Sequence, residues 1–177
     1  MDVYLAPHND DDVLWGTYTL LRYKPLVIVC LRSYIEASWP GGPVYQTREA
    51  ETAKALEILG CEYVQWEIPD SAPDWDEVRR RLYALEDVER VWAPLPEENG
   101  HLHHNALAAA ALQVFPQARL YATYTYGGGK STIGEVVEPE PGWEELKRRA
   151  MACYVSQATH PATHLPFDTW DISEYLS

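Results

Sequence analysis

Short apolar runs alternate with amphipathic stretches along this 177-residue chain, and that alternation restricts its fold more than any other feature. The runs "VYLA" (3–6), "LVIVCL" (26–31), "YVQWEI" (63–68), "RVWAP" (90–94) and "RLYATYTY" (119–126) have strand character. Helix-like stretches lie between them. "DDVLWGTYTLLRY" sets Leu14, Tyr18 and Leu21 on one side, and "QTREAETAKALEILG" ends in Gly60, a C-cap residue. "DWDEVRRRLYALED" offers Asp74 as N-cap with Glu77 three residues on; "HHNALAAAALQVF" and "GWEELKRRAMACYVSQ" complete the set. Strands alternating with helices predict an α/β, Rossmann-like fold: a mostly parallel sheet with helices on both faces. Nothing in the pattern marks a linker or repeat, so residues 1–177 are expected to form one domain.

The charge balance narrows the partners. There are 27 acidic and 14 basic residues, a net charge of −13, which argues against a nucleic-acid backbone or an anionic membrane surface. No apolar run is long enough for a membrane span, and "MDVYLAPHND" lacks the features of a signal peptide. Cys30, Cys61 and Cys153 are scattered in apolar surroundings, as reduced thiols in a cytoplasmic protein would be. A small substrate or a metal fits the acidity. Two long loops, roughly 33–44 and 127–134, are candidates for substrate contact. "GGGKST" within the second lacks the spacing of a phosphate loop.

The chemistry concentrates where strands end. "APHNDDD" follows "VYL" and crowds His8, Asp10, Asp11 and Asp12 into five positions. Carboxylates so close repel one another, and a cation, a tuned proton transfer or a helix N-terminus would each compensate. In open α/β sheets ligands bind beyond the carboxyl ends of strands. The second cluster, "ENGHLHHNALAAAAL", follows the strand "RVWAP" and carries His101, His103 and His104, placing both clusters on one rim. His101 and His104 are three apart and can face one site at a helix start. A ligand from this cluster would complete a His/Asp/His set with an open position for water. His160 and His164, among prolines and threonines near the C-terminus, read as surface or rim residues.

These motifs resemble the PIG-L/LmbE family of zinc-dependent N-acetylglucosamine deacetylases. "APHNDDD" is similar to the family's AHPDDE signature and "GHLHH" to its HxDH signature. "TREAETAKALEILG" resembles its R-x-x-E-x-x-x-A-x-x-x-L-G helix through Arg48, Glu51, Ala55, Leu59 and Gly60, and "LKRRAMACYVSQ" its late helix ending in Ser156 and Gln157. The resemblance implies His8, Asp11 and His104 as ligands of Zn2+ or another divalent metal such as Fe2+. It implies Asp10 as general base, His101 as the group that protonates the leaving amine or supports the oxyanion, and Arg48 as a substrate contact. Asp12 and His103 become supporting neighbours.

The chain departs from the pattern at Asn9 for proline, Asp12 for glutamate, and His103 for the aspartate expected to orient the catalytic histidine. The implied activity is metal-dependent hydrolysis of an N-acetyl group on a small, sugar-containing molecule. Hydrolysis of a different acylated amine and a non-catalytic ligand-binding role are the alternatives. Tyr34, Trp39 and Tyr45 are candidates for stacking on a sugar ring. The oligomeric state is open to a homo-oligomer.

Overall fold

A computed structural model describes residues 1–33, 45–126, 129–158 and 173–177. The elements run β1 (Asp2–Ala6), α1 (Asp11–Tyr23), β2 (Leu26–Val29), α2 (Tyr45–Leu59), β3 (Tyr63–Gln65), α3 (Trp75–Tyr83), β4 (Arg90–Pro94) and α4 (Leu102–Val114). Then follow β5 (Arg119–Tyr121), β6 (Tyr124–Thr125), β7 (Gly129–Lys130), β8 (Glu135–Val136), α5 (Trp143–Met151), α6 (Val155–Ala158) and β9 (Tyr175–Leu176). The expected mostly parallel sheet is present in the order β3-β2-β1-β4-β5-β9-β8; the first five strands are mutually parallel, and β9 and β8 add antiparallel.

Period-2 alternation decides which residues face which layer. Tyr4, Ala6, Val27, Val29, Trp92 and Tyr121 pack beneath α1, α2 and α5, against Leu14, Leu56 and Met151 among others. The intervening Val3, Leu5, Ile28, Val91 and Ala93 pack on the opposite side against Val78, Leu82, Leu107 and Ala111 of α3 and α4. Helices therefore cover both faces, as the fully apolar strands require. Gly16 makes one of these contacts feasible. A Cβ there would sit 2.3 Å from the Tyr4 ring, and that ring is itself buried and stacked on Tyr121 at 4.7 Å between centroids.

Local signals hold where the chain itself supplies the partner. The Asp74 carboxylate accepts from the N–H groups of Asp76 and Glu77, each at 3.0 Å. Gly60 adopts φ 65°, and the Cys61 N–H reaches back to the Leu56 carbonyl at 3.0 Å.

Several boundaries differ from the sequence reading. The run 26–31 pairs as a strand only to Val29, and 63–68 only to Gln65. The run 119–126 splits, because after Tyr121 the chain leaves the main sheet and β6 pairs with β7 instead. The helix expected over 74–87 ends at Tyr83, and that over 142–157 breaks between Met151 and Val155.

The strand order reverses between β1 and β4. The chain proceeds outward from β1 to β2 and β3, then returns to place β4 on the other flank of β1, with Tyr4 opposite Trp92. This is the topological switch point, where the loops leaving two adjacent parallel strands diverge and open a crevice.

Candidate functional site

The loop after β1 and the loop after β4 meet at that crevice. His8, Asp10, Asp11, His101, His103 and His104 all lie there, as the shared rim predicts. Asp10 takes the left-handed region, φ 118°, uncommon for a side chain with a Cβ. The turn lets α1 begin at Asp11, and both the Val13 and Leu14 N–H groups bond the Asp10 carbonyl. Such backbone strain persists only where the surroundings impose it. Asn9, buried here in place of proline, donates to Thr52 Oγ1 at 2.9 Å and Gln65 Oε1 at 2.8 Å, tying the loop to α2 and β3.

Asp11 is the centre of the arrangement. Its Oδ2 lies 3.0 Å from His8 Nδ1 and 3.2 Å from His104 Nε2, and it also accepts the His8 backbone N–H at 2.9 Å. Its Oδ1 accepts the Trp15 indole N–H at 2.9 Å. Burial opposes charge on Asp11, but His104 and His8 together hold its carboxyl well below the usual range. The His104 ring, fully buried, turns its Nδ1 to Thr123 Oγ1 at 3.1 Å, which leaves Nε2 facing Asp11.

One ligand atom each from His8, Asp11 and His104 lies within 4.8 Å of the other two. Tetrahedral zinc with ligands near 2.1 Å separates its donors by about 3.3 Å. The observed spacings are already close to that, so this donor set fits a divalent metal. His8, His101 and His103 form a second, overlapping group within the same limit.

Around these donors stand the remaining site residues. Asp10 Oδ2 pairs with Arg48 at 3.1 Å, and Arg48 further bonds Ser33 Oγ at 2.6 Å and the Asn9 carbonyl. Burial raises the Asp10 carboxyl well above its ordinary range, with Arg48 pulling the other way. Arg48, read as a substrate contact, thus faces Asp10 and braces its loop. Asp12 points inward, where its Oδ1 accepts from Tyr154 Oη at 3.1 Å and from the Asp10 N–H at 3.2 Å; burial pushes its carboxyl up to about 7. Glu51 accepts from the Ser156 N–H at 2.8 Å and the Ser156 hydroxyl at 2.6 Å, joining two of the motifs quoted above.

His101 and His103 stand at the start of α4, beside the donor set. His101 caps α4, its Nδ1 accepting the His103 N–H at 3.2 Å. Burial, then the neighbouring His8 and His104, push its pKa down to about 3. Because Nδ1 accepts at the helix cap, the ring hydrogen is carried on Nε2. The His103 imidazole, which stands where the family pattern has the aspartate that orients the catalytic histidine, meets His8: Nε2 of His8 and Nδ1 of His103 are 2.8 Å apart.

Sequence reasoning missed Trp15, Thr123, Tyr154 and an aromatic rim. The i, i+4 spacing of Asp11 and Trp15 was a legible signal; the other contacts span long sequence separations. The rim comprises Tyr124 and Tyr126, 6.0 and 5.8 Å from the His101 ring between centroids, and Trp75, 6.2 Å from His103. Tyr126 is brought there by its N–H bond to the Asn99 carbonyl and by a bridge between Thr125 and Gly100. Tyr34, Trp39, His160 and His164 lie outside the described residues.

A mostly parallel α/β sheet carries at its switch point a His/Asp/His group able to hold a metal ion. The family comparison makes the class specific: a family model described as PIG-L, GlcNAc-PI de-N-acetylase, matches residues 3–115, and the chain belongs to that family. No curated protein matches. Among solved structures, N,N'-diacetylchitobiose deacetylase from Pyrococcus horikoshii is 17% identical, with a TM-score of 0.74 over 96% of this chain and 73% of its own. The zinc-inhibited form of teicoplanin deacetylase Orf2 is 18% identical, with a TM-score of 0.67 over 89% of this chain and 84% of its own. The 4-carboxy-2-hydroxymuconate hydratase GalB from Pseudomonas putida KT2440 is 12% identical, with a TM-score of 0.65 over 99% and 94%. At these identities the likeness is one of fold. No helix among the described residues is long and apolar enough to cross a membrane.

Proposed function

We propose that this protein is a divalent-metal-dependent N-deacetylase acting on a small, sugar-containing N-acetyl compound. The observation that carries the reading is the convergence of His8, Asp11 and His104 on one point at the switch of strand order. Membership of the PIG-L family supports a deacetylase function. Those three residues would hold the metal, zinc or iron. When bound, it supplies Lewis acidity, which polarises the acyl oxygen and makes water a nucleophile near neutral pH.

The protein's own residues do the rest. Asp10, adjacent in sequence to a ligand and steadied by Arg48, takes the proton of the attacking water at its carboxylate and returns it to the amide nitrogen as the C–N bond breaks and the amine leaves. His101 donates from Nε2 to the acyl oxygen as charge builds there, because its Nδ1 is committed to the helix cap. The exposed Tyr126 ring and the Tyr124 ring offer flat apolar faces for a sugar.

Metal analysis of the purified protein, paired with a screen of N-acetylated sugars for acetate release, tests the reading. The expected result is one metal ion per chain and acetate release that a chelator abolishes. Acetate release from other acylated amines but from no sugar would transfer the reading to a different amidohydrolase. A metal-loaded protein that releases acetate from nothing would leave a ligand-binding domain.

A further inference from the structure

His8 has contacts at both ring nitrogens. Nδ1 faces Asp11 Oδ2 at 3.0 Å, on the side of His104, and Nε2 faces His103 Nδ1 at 2.8 Å. A neutral imidazole carries one hydrogen. For Nδ1 to offer a lone pair to a metal, that hydrogen must lie on Nε2, where the neighbour within hydrogen-bond distance is an imidazole nitrogen of His103.

We propose that His103 is the positioning residue of the metal centre: its Nδ1 accepts the Nε2–H of His8 and so fixes the tautomer and ring plane that present His8 Nδ1 to the metal. The inference rests on the metal site of the proposed function. Metal-ligating histidines generally give their second ring N–H to a carboxylate, carbonyl or water, and that partner raises ligand basicity. The other ligand histidine also has a polar partner at its second nitrogen: Nδ1 of His104 lies 3.1 Å from Thr123 Oγ1. At His8 the acceptor is a neutral imidazole, at the position where the chain departs from the family pattern.

The fold holds this acceptor in place. His103 lies in the first turn of α4, its backbone N–H bonded to His101 Nδ1, and its ring lies among those of His8, His101 and Trp75.

The test is zinc affinity of the full chain by chelator competition, with His103→Phe and His103→Asn. Phe keeps a ring but has no acceptor, whereas the Asn Oδ1 branches from Cγ as Nδ1 does. His103→Phe is expected to weaken zinc about 10–100-fold, and His103→Asn to stay within a few-fold of the parent. In the zinc-loaded protein the His8 Nε2–H should give a protected proton resonance in the parent and in His103→Asn, and lose it in His103→Phe. His103→Ala replaces His103→Phe if the latter does not fold.

Parent-like zinc affinity in His103→Phe overturns the proposal. So does equal loss in both variants with unchanged melting of the metal-free proteins, since the imidazole would then be a ligand in the His8–His101–His103 group. Asp11→Ala and His104→Ala separate the two layers of the argument. If they bind zinc like the parent, the metal site itself is wrong; if they lose zinc and His103→Phe does not, only the positioning role fails.

Discussion

The Trp15 indole donates to Asp11 Oδ1 at 2.9 Å, so one oxygen of the central carboxylate is tethered to the helix it begins while the other faces two imidazoles. Trp15 is buried and one helical turn beyond Asp11. Trp15→Phe keeps the packing but frees that oxygen. Metal affinity should fall about 10-fold, the lower end for lost support of a ligand, with the circular dichroism spectrum unchanged. An unchanged dissociation constant would show that Asp11 is held by its imidazole and backbone contacts alone.

Asp10→Asn separates base from ligand. The amide preserves size and can still bond Arg48's surroundings, but it cannot accept a proton. Turnover should fall about 10²–10⁴-fold while metal content by mass spectrometry stays at the parent value. Loss of the metal would make Asp10 a ligand and reverse its assignment with Asp11.

Tyr126 is 62% exposed and beside His101, so its loss should touch substrate without disturbing the fold. Tyr126→Ala is expected to raise KM for an N-acetyl sugar several-fold with kcat little changed. A fall in kcat at constant KM would place the ring in the chemistry and not in binding.

The buried pair Lys147–Glu174 joins α5 to the C-terminal segment at 2.7 Å, and Lys147 also donates to the Leu14 carbonyl while Glu174 accepts the Tyr18 N–H. Removing one partner strands a buried charge. Lys147→Met should cost about 3–5 kcal/mol in urea unfolding, and the double variant with Glu174→Gln less than the sum of the two singles. Strict additivity would mean the two groups do not act as a pair.

Gly16→Ala should destabilise by about 1–3 kcal/mol through overpacking against the Tyr4 ring. Denaturant midpoints of the metal-free proteins measure this directly. A neutral or stabilising effect would show that the Tyr4–Tyr121 stack gives way easily.

The layers and the rim were legible in the order of residues alone. Apolar runs flanked by capped helices are local signals, so β1, β4, the Asp74 cap and the Gly60 stop were readable, as was the clustering of His8, Asp11, His101 and His104 at strand ends. The edge of the sheet was not, because β8 and β9 are two-residue strands whose pairing with one another and with β5 depends on partners about 40 or more residues away. Nor did "WEELKRRAMACYVSQ" carry a glycine or proline to announce the break after Met151.

The direction of each imidazole was decided only in three dimensions. His103 meets His8 across 95 residues because β1 and β4 pair in parallel register, Tyr4 opposite Trp92, and so bring their two following loops together. Residue type and spacing specify which donors are available on a rim; which nitrogen faces which neighbour is fixed by backbone positions that only the packed sheet supplies.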